Sequence, residues 1–466
     1  MKKAHLLITG QFFHSLDKTT VQSFSGGIGV NSEGFIECIF NVHSDTTIRS
    51  IEIAKGHAYL NAPTDTYLDK PIEIVKDLYS TILDVPNDQI ICPGFVDTHV
   101  HAAQLMNIGK GVGLPLLKWL ETVTFPEEAK FSDQPYADSI MSFCVHHLLK
   151  AGTTTASYYG TIHRQACLSL AKAMVSQGQR GYVGKVNMDQ NSPTPLLEST
   201  IDSLNETDYF INDVLSLSSH LVHPIITPRF AISCSSKLMA GLSDLAHKYD
   251  LGIQTHLSEN IQEIETVKNL YPSLTYTDVY KEHGLLSVKG PVIMAHSIHL
   301  SDDEKETLVN HDIGISHCPC SNLYLKSGRF NLSNWLKIYS KIGLGTDLSG
   351  GISTSMFSEM RSAYQTHLNI DLLMSPTFHQ KTTPIQTENL FYCATLGGAS
   401  VLDLDDKIGN FQIGKAFDSN IISLKNTGPD SVIATYSTDE ILKKLVFMTD
   451  SRDILSTYVQ GIKVQK

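Results

Sequence analysis

No apolar run in this chain of 466 residues approaches the roughly 18–20 residues of a membrane-spanning helix. No stretch gathers Lys and Arg into a basic patch, and the net charge is -12, which argues against a nucleic-acid surface. The acidic excess bears mainly on solubility. Cysteine is too sparse for a disulfide scaffold. The eight residues (Cys38, Cys92, Cys144, Cys167, Cys234, Cys318, Cys320 and Cys393) are scattered, with one close pair, which points to a reducing compartment. No secretory signal is apparent: the apolar run in "MKKAHLLITGQFF" is short, is broken by Gly10 and Gln11, and reads as a first strand. There is no repeat of fixed period and no low-complexity tract. The cytoplasm is the expected location.

What is present is the composition of an ordinary globular enzyme, 42% hydrophobic and 18% charged, in a chain too long for one ordinary core. Between about residues 90 and 355, eight β-type runs alternate with helical patterns: "ICPGFVDTHVH", "TTTASYYG", "YVGKVNMD", "IITPRFAIS", "IQTHLSE", "PVIMAHSI", "IGISHCP" and "GLGTDLS". In "SSKLMAGLSDLAHKYD", Leu238, Leu242, Leu245 and Tyr249 share one helical face, with Ser235 or Ser236 as cap. "SDDEKETLVNHD" has Ser301 as cap and acidic residues in the first turn, where the helix dipole favours them. Such alternation implies parallel strands joined by right-handed crossovers. The economical closed form is an α/β fold of (β/α)8 barrel type, and a doubly wound open sheet is the alternative. Residues 1–90 read as short strands and turns, and the tail "KLVFMTDSRDILSTYVQGIKVQK" repeats that pattern. "NAPTDTYLDKPIEI" reads as a long loop or edge insertion. The expected organisation is a barrel over residues 91–400 beside a small β-sandwich-like domain built from residues 1–90 and 401–466.

In a barrel the C-terminal strand ends form the active face. "PGFVDTHVH" places His99 and His101 on one side of a strand and Val100 on the other, the two histidine Cα atoms roughly 6.5–7 Å apart. "QTHLSE" ends in His256 and Glu259, "MAHS" in His296 and "LGTD" in Asp347. Each alone has an ordinary explanation. A lone His is more often a hydrogen-bonded core residue, and Asp347 could be a turn residue ahead of Ser349 and two glycines. Four histidines and one aspartate arriving from four strand ends are better explained by a bound ion. Imidazoles with one carboxylate and no thiolate suit zinc, with iron the alternative. Such an ion lowers the pKa of water from 15.7 to roughly 7, on the order of 12 kcal/mol. Glu259, three residues past His256, lies too far along an extended strand to be an obvious co-ligand and is better placed as a proton carrier.

The series "PGFVDTHVH", "THLSE", "MAHS", "HCPCSN" and "GTDLSGG" resembles the amidohydrolase superfamily, in the branch with one metal. More narrowly, "HVHAAQ", "LLKWLETVTFP", "TTTASYYGTIH", "VGKVNMD", "TPRFAISCS" and "THLSEN" resemble the barrel-type guanine deaminases. The resemblance implies one Zn2+ per subunit, held by His99, His101, His256 and Asp347, with His296 touching the ion, its hydroxide or a substrate oxygen. It implies guanine as substrate, held by Gln104, Arg229 and Phe230 and facing His101, His256, Glu259 and Asp347. Glu259, His296 and Asp347 would carry the hydrolysis to xanthine and ammonia, in a homodimer. Arg229 would donate to the guanine carbonyl, whereas an adenine amino group would leave it unpaired at about 1–3 kcal/mol. Phe230 would offer a stacking face. Read without the resemblance, Arg229 fits a structural ion pair equally well, and Phe230 core packing. On the functional reading, Arg229→Ala weakens guanine use far more than folding.

Other candidates rank lower. Lys185 reads as structural, and Trp119 as pocket wall or packing. Cys318 and Cys320 could bind metal, but Cys320 departs from the family pattern and reads as incidental. The unrelated zinc-deaminase signature is absent, since Pro319 is followed by "CSNL". Two rival functions remain. One is a superfamily hydrolase acting on another ring amine or a halogenated triazine. The other is a non-catalytic interaction protein that has kept the barrel.

Overall fold

The computed structural model describes residues 4–44, 47–53, 70–71, 73–374, 384–433 and 435–464. The insertion expected around "NAPTDTYLDKPIEI" lies almost wholly outside the described residues. The opening strands are longer than the sequence suggests. β1 (Ala4–Ser15) pairs antiparallel with β2 (Val21–Val30). β3 (Ile36–Ser44), β4 (Thr47–Ile53) and β5 (Lys70–Pro71) continue the antiparallel order, while β6 (Tyr79–Asp84) and β7 (Gln89–Pro93) run parallel to β1.

The run "ICPGFVDTHVH", expected as one strand, breaks at Gly94. β7 stays in the outer sheet and β8 (Phe95–His101) begins another. A Cβ on Gly94 would lie 2.1 Å from Thr154 Oγ1, so only glycine lets the backbone pass that close.

β9 (Thr153–Tyr159), β10 (Arg180–Gly184), β11 (Val186–Asn187), β12 (Val222–Pro224), β13 (Thr227–Pro228), β14 (Ile253–Leu257), β15 (Val292–His296), β16 (Gly314–His317) and β17 (Ile342–Leu344) follow, with helices between them. One parallel sheet runs β12-β10-β9-β8 and another β14-β15-β16-β17, with β11 and β13 paired separately. The two larger sheets are linked at both ends. Ile226 bridges Ile253 in parallel, and Asp347 N donates to His99 O at 2.8 Å. All of β8 and β9 is buried, as parallel strands covered on both faces require. Val100, Tyr158 and Val183 pack with Met141, Leu148, Leu170 and Met174 from the helices Gln134–Lys150 and Arg164–Gln177.

Both helices read from the sequence are present. Ser236–Tyr249 is capped by Ser235, whose side chain accepts from Leu238 N. Asp302–Asn310 opens on Ser301 with Glu304 completing a capping box. Three readings need correction. "YVGKVNMD" is split at Lys185. "IITPRFAIS" is barely a strand: within it only Thr227–Pro228 forms one, Pro228 lacks the N–H a ladder needs, and Arg229 and Phe230 fall on the loop that follows. The start of the tail is helical. "KLVFM" closes the helix Thr438–Met448, whose buried Leu442, Leu445 and Val446 have helical spacing. β18 (Ser419–Ser423), β19 (Ile454–Val459) and β20 (Ile462–Lys463) then join the outer sheet, with β18 between β7 and β19. The two chain ends therefore share one sheet, as expected. Among the described residues no helix is long and apolar enough to cross a membrane.

Candidate functional site

The five strand-end residues converge. His99 and His101 lie on β8 with ring centroids 4.9 Å apart, and His256 reaches within 4.8 Å of His99. His101 Nε2 and His256 Nε2 are 3.2 Å apart. Asp347 Oδ1 lies 3.2 Å from His99 Nε2 and 3.5 Å from His101 Nε2. His296 Nε2 is 3.8 Å from Asp347 Oδ2 and 3.4 Å from Glu259 Oε2. Glu259 therefore belongs beside the cluster, although an extended strand would carry it away. The chain leaves the strand at Ser258, where φ is 47°. Glu263 then holds the turn by accepting from Glu259 N at 2.9 Å and Asn260 N at 3.0 Å, as the last member of the N-terminal capping box of the helix Ile261–Leu270.

A second layer of contacts aims these side chains. His256 Nδ1 is 2.6 Å from Arg229 O, an atom that only accepts, so Nδ1 carries the hydrogen and Nε2 presents its lone pair to the cluster. His296 Nδ1 meets Asn322 Oδ1 at 2.8 Å. Ser321 Oγ donates to Asp347 Oδ2 at 2.5 Å, and Ser327 Oγ to Glu259 Oε1 at 2.6 Å. Asp97 accepts from Thr346 N at 3.0 Å and from His99 N at 3.2 Å, tying the Asp347 turn to β8.

The donor set fits a divalent cation. His99 Nε2 and His296 Nε2 are buried without a hydrogen-bond partner, and ligand atoms of His99, His101 and His256 lie within 4.8 Å of one another. Burial, reinforced by neighbouring imidazoles, holds His101 and His256 well below the ordinary histidine value, which favours the neutral form that a metal ion requires of an imidazole. Burial opposes ionisation of Asp347, but His99, whose Nε2 lies 3.2 Å away, and the other surrounding imidazoles hold its carboxyl well below the usual range. Burial also lowers His296, yet Glu259 and Asp347 outweigh it and raise the imidazole. Glu259 is pushed up to about 7, chiefly by burial. Such a carboxyl can both take and give a proton near neutrality.

A narrow cleft opens on the cluster, lined by His101, Gln104, Trp119, Arg229, Phe230 and Glu259 among others. Arg229 is 2% exposed and makes a two-point ion pair with Glu128, at 2.6 Å and 3.0 Å. Gln104 Nε2 donates to the same carboxylate at 2.9 Å. Arg229 therefore stands in a buried ion pair and also lines the cleft. Trp119 is wall as well as packing, its Nε1 donating to Lys110 O at 3.2 Å. Lys185 is a buried ion-pair partner of Glu198 at 2.7 Å, in keeping with a structural role. Cys318 Sγ lies within 4.8 Å of ligand atoms of His99 and His296, but burial raises its thiol well above the ordinary value. Cys320 belongs to neither group of candidate ligands. The sequence reading missed Glu128, Asp97, Ser321, Asn322, Ser327 and Tyr159, whose ring stands 4.6 Å from His99 and 4.7 Å from His101. Only Asp97 carried a signal, sharing the strand parity of the two histidines.

Comparison with known proteins points the same way. The Amidohydrolase family matches residues 90–464. A guanine deaminase of Dictyostelium discoideum is 39% identical over 451 residues, 92% of this chain and 98% of its own length. One from Mus musculus is 41% identical over 392 residues, 82% of this chain and 84% of its own. A crystal structure of guanine deaminase from C. acetobutylicum with guanine bound in its active site superposes with a TM-score of 0.84 at 34% identity, covering 98% of this chain and 99% of that one.

Proposed function

The chain belongs to the amidohydrolase family, and from that premise we propose that it hydrolyses guanine to xanthine and ammonia. The observation that carries this is the meeting of five ligand-type side chains from four strand ends beside a cleft that offers both Arg229 and Gln104.

We assign one Zn2+ per subunit to His99, His101, His256 and Asp347, with His296 as the nearest further group. When bound, the ion makes water a nucleophile at neutral pH. Asp347 and His296 orient that water. Glu259 accepts its proton and delivers it to ring N3 as the oxygen adds at C2, then takes the remaining proton of the added oxygen and passes it to the departing amino group. One C–O bond forms, one C–N bond breaks, and ammonia leaves. Arg229 donates to the guanine carbonyl, Gln104 accepts from a ring N–H, and Phe230 stacks on the purine, while His101 and His256 wall the reacting end.

The parallel sheets read as one closed (β/α)8 barrel over residues 91–400, supported by the links at both sheet ends. The described parts of residues 1–90 and 401–466 read as the satellite. Its described strands belong to one sheet, and the shared core of Phe12, Ile28, Phe411, Phe417 and Tyr458 supports a small β domain drawn from both chain ends. Eight buried free thiols favour a reducing, cytoplasmic setting. A homodimer rests on family resemblance, and sedimentation tests it. The decisive experiment is metal analysis together with a guanine-to-xanthine absorbance assay. Metal-free protein without turnover on guanine would overturn the reading.

A further inference from the structure

We propose that Glu128, which does not itself line the cleft, is the positioning residue that sets the cleft's donor–acceptor polarity and hence its preference for guanine, an inference that rests on the function proposed above. An amide side chain can present either end. Glu128 removes that freedom from Gln104. A carboxylate only accepts, so the Gln104 atom 2.9 Å from Glu128 Oε1 is the amine end. The Gln104 carbonyl then faces the other way, where Ser349 N approaches it at 3.4 Å and a second lone pair stays free.

The same carboxylate engages both terminal nitrogens of Arg229, leaving the Nε hydrogen and the outer hydrogens unused by this pair. The Phe125 ring covers the guanidinium from 5.0 Å, so its plane is held as well. Gln104 and Arg229 thus become a fixed acceptor and a fixed donor in one cleft. A carbonyl beside a ring N–H, the lactam edge of guanine, complements that pair. An amino group beside a bare ring nitrogen has the opposite polarity at both points.

Glu128 occupies the end of the short helix Phe125–Glu128, directly after the π-helical turn Leu120–Thr124. Trp119 and Leu120, at the start of this segment, also line the cleft. One strap therefore supplies part of the pocket wall and the anchor for both recognition groups.

The alternative is a buried ion pair with no bearing on recognition. Glu128→Gln separates the two when guanine is compared with 2,6-diaminopurine, which keeps the C2 amino group and inverts the neighbouring edge. Ammonia release, metal content and thermal midpoint are measured together. We expect the preference for guanine to fall about 10–100-fold, mainly through a higher KM for guanine, with metal retained. The reciprocal variant Glu128→Gln with Gln104→Glu makes position 104 an obligate acceptor again and should recover the preference. If the single variant does not fold, the reciprocal one decides: folded with the preference intact it supports the proposal, folded without it refutes it. An unchanged preference in Glu128→Gln, or a loss of kcat and metal at constant preference, overturns the assignment. Failure of the unaltered enzyme to deaminate guanine would instead sink the parent reading.

Discussion

Arg229→Met removes a guanidinium from a pair whose side chains are 3% and 1% exposed. The methionine keeps most of the stem's bulk, so the change is mainly one of charge. Glu128 is left buried with the Gln104 amide as its remaining partner. Breaking one side of a buried ion pair costs about 3–5 kcal/mol, because the surviving charge cannot return to water. Adding Glu128→Gln removes that stranded charge. The double variant should therefore be more stable than the single one, with a coupling on the order of 2 kcal/mol. Both variants should lose guanine turnover, since the cleft has lost its donor. On the functional reading of the sequence, truncating Arg229 weakens guanine use far more than folding; the ion pair makes both effects large. Equilibrium urea unfolding of the metal-loaded protein, run beside guanine kinetics, tests this. A single variant destabilised by less than about 1 kcal/mol, or a double variant at least as destabilised as the single, refutes the reasoning.

Glu259→Gln should retain metal while turnover falls by about 10²–10⁴-fold, as for loss of a general acid–base group; metal analysis with the absorbance assay checks it, and a retained rate removes Glu259 as proton carrier. Chelation should abolish turnover and lower the thermal midpoint, and added Zn2+ should restore both, because an ion present at 1,000 times its dissociation constant stabilises by about 4 kcal/mol. An enzyme indifferent to strong chelators contradicts the ligand assignment. His14, far from the cleft in sequence and buried in the outer sheet, is lowered to about 4, chiefly by burial, and its Nδ1 accepts from Phe411 N at 3.2 Å. The unfolded state binds the proton first, so this contribution is complete above about pH 6.5 and is lost as pH falls toward 4, at most about 3 kcal/mol. His14→Gln should flatten the fall in stability over that window relative to the unaltered protein, and parallel pH–stability curves would show that the native imidazole is not depressed.

The metal-type cluster was legible because it obeys periodic rules. Alternation sends His99 and His101 one way, and the parallel-strand pattern places His256, His296 and Asp347 at the same rim. Asp97 shows where alternation stops being enough. It has the parity of the two histidines, yet its carboxylate accepts from Thr346, and the β8–β9 register shifts between Asp97 and Val100. Glu128 had no local mark. In "FPEEAKF" it looks like any acid in a first helical turn, and its partner Arg229 is 101 residues away. The tail helix was hidden for a different reason. "KLVFM" alone is a continuous apolar run, and its period appears only with the preceding "TDEILK", where Ser437 and Glu440 form the capping box.

Where the chain turns out of the strands into the site, one backbone trait recurs. Ser258, His296 and Asp347 have φ of 47°, 67° and 43°, all left-handed, at the ends of three different strands. Such conformations cost on the order of 1–3 kcal/mol each and persist only where surroundings over-determine them. Here the surroundings are specific: Ser297 N donates to Leu257 O at 2.9 Å, Asp347 N to His99 O at 2.8 Å, and Glu263 holds the backbone of Glu259. Regular strands bring the chain to the rim, but regular geometry would carry Glu259 along the strand and away from His296. The departures from regularity turn the side chains inward, and hydrogen bonds to neighbouring strands and to the next helix hold them there. A strand-period argument therefore finds which residues arrive at the site, while their final aim depends on contacts that no local pattern encodes.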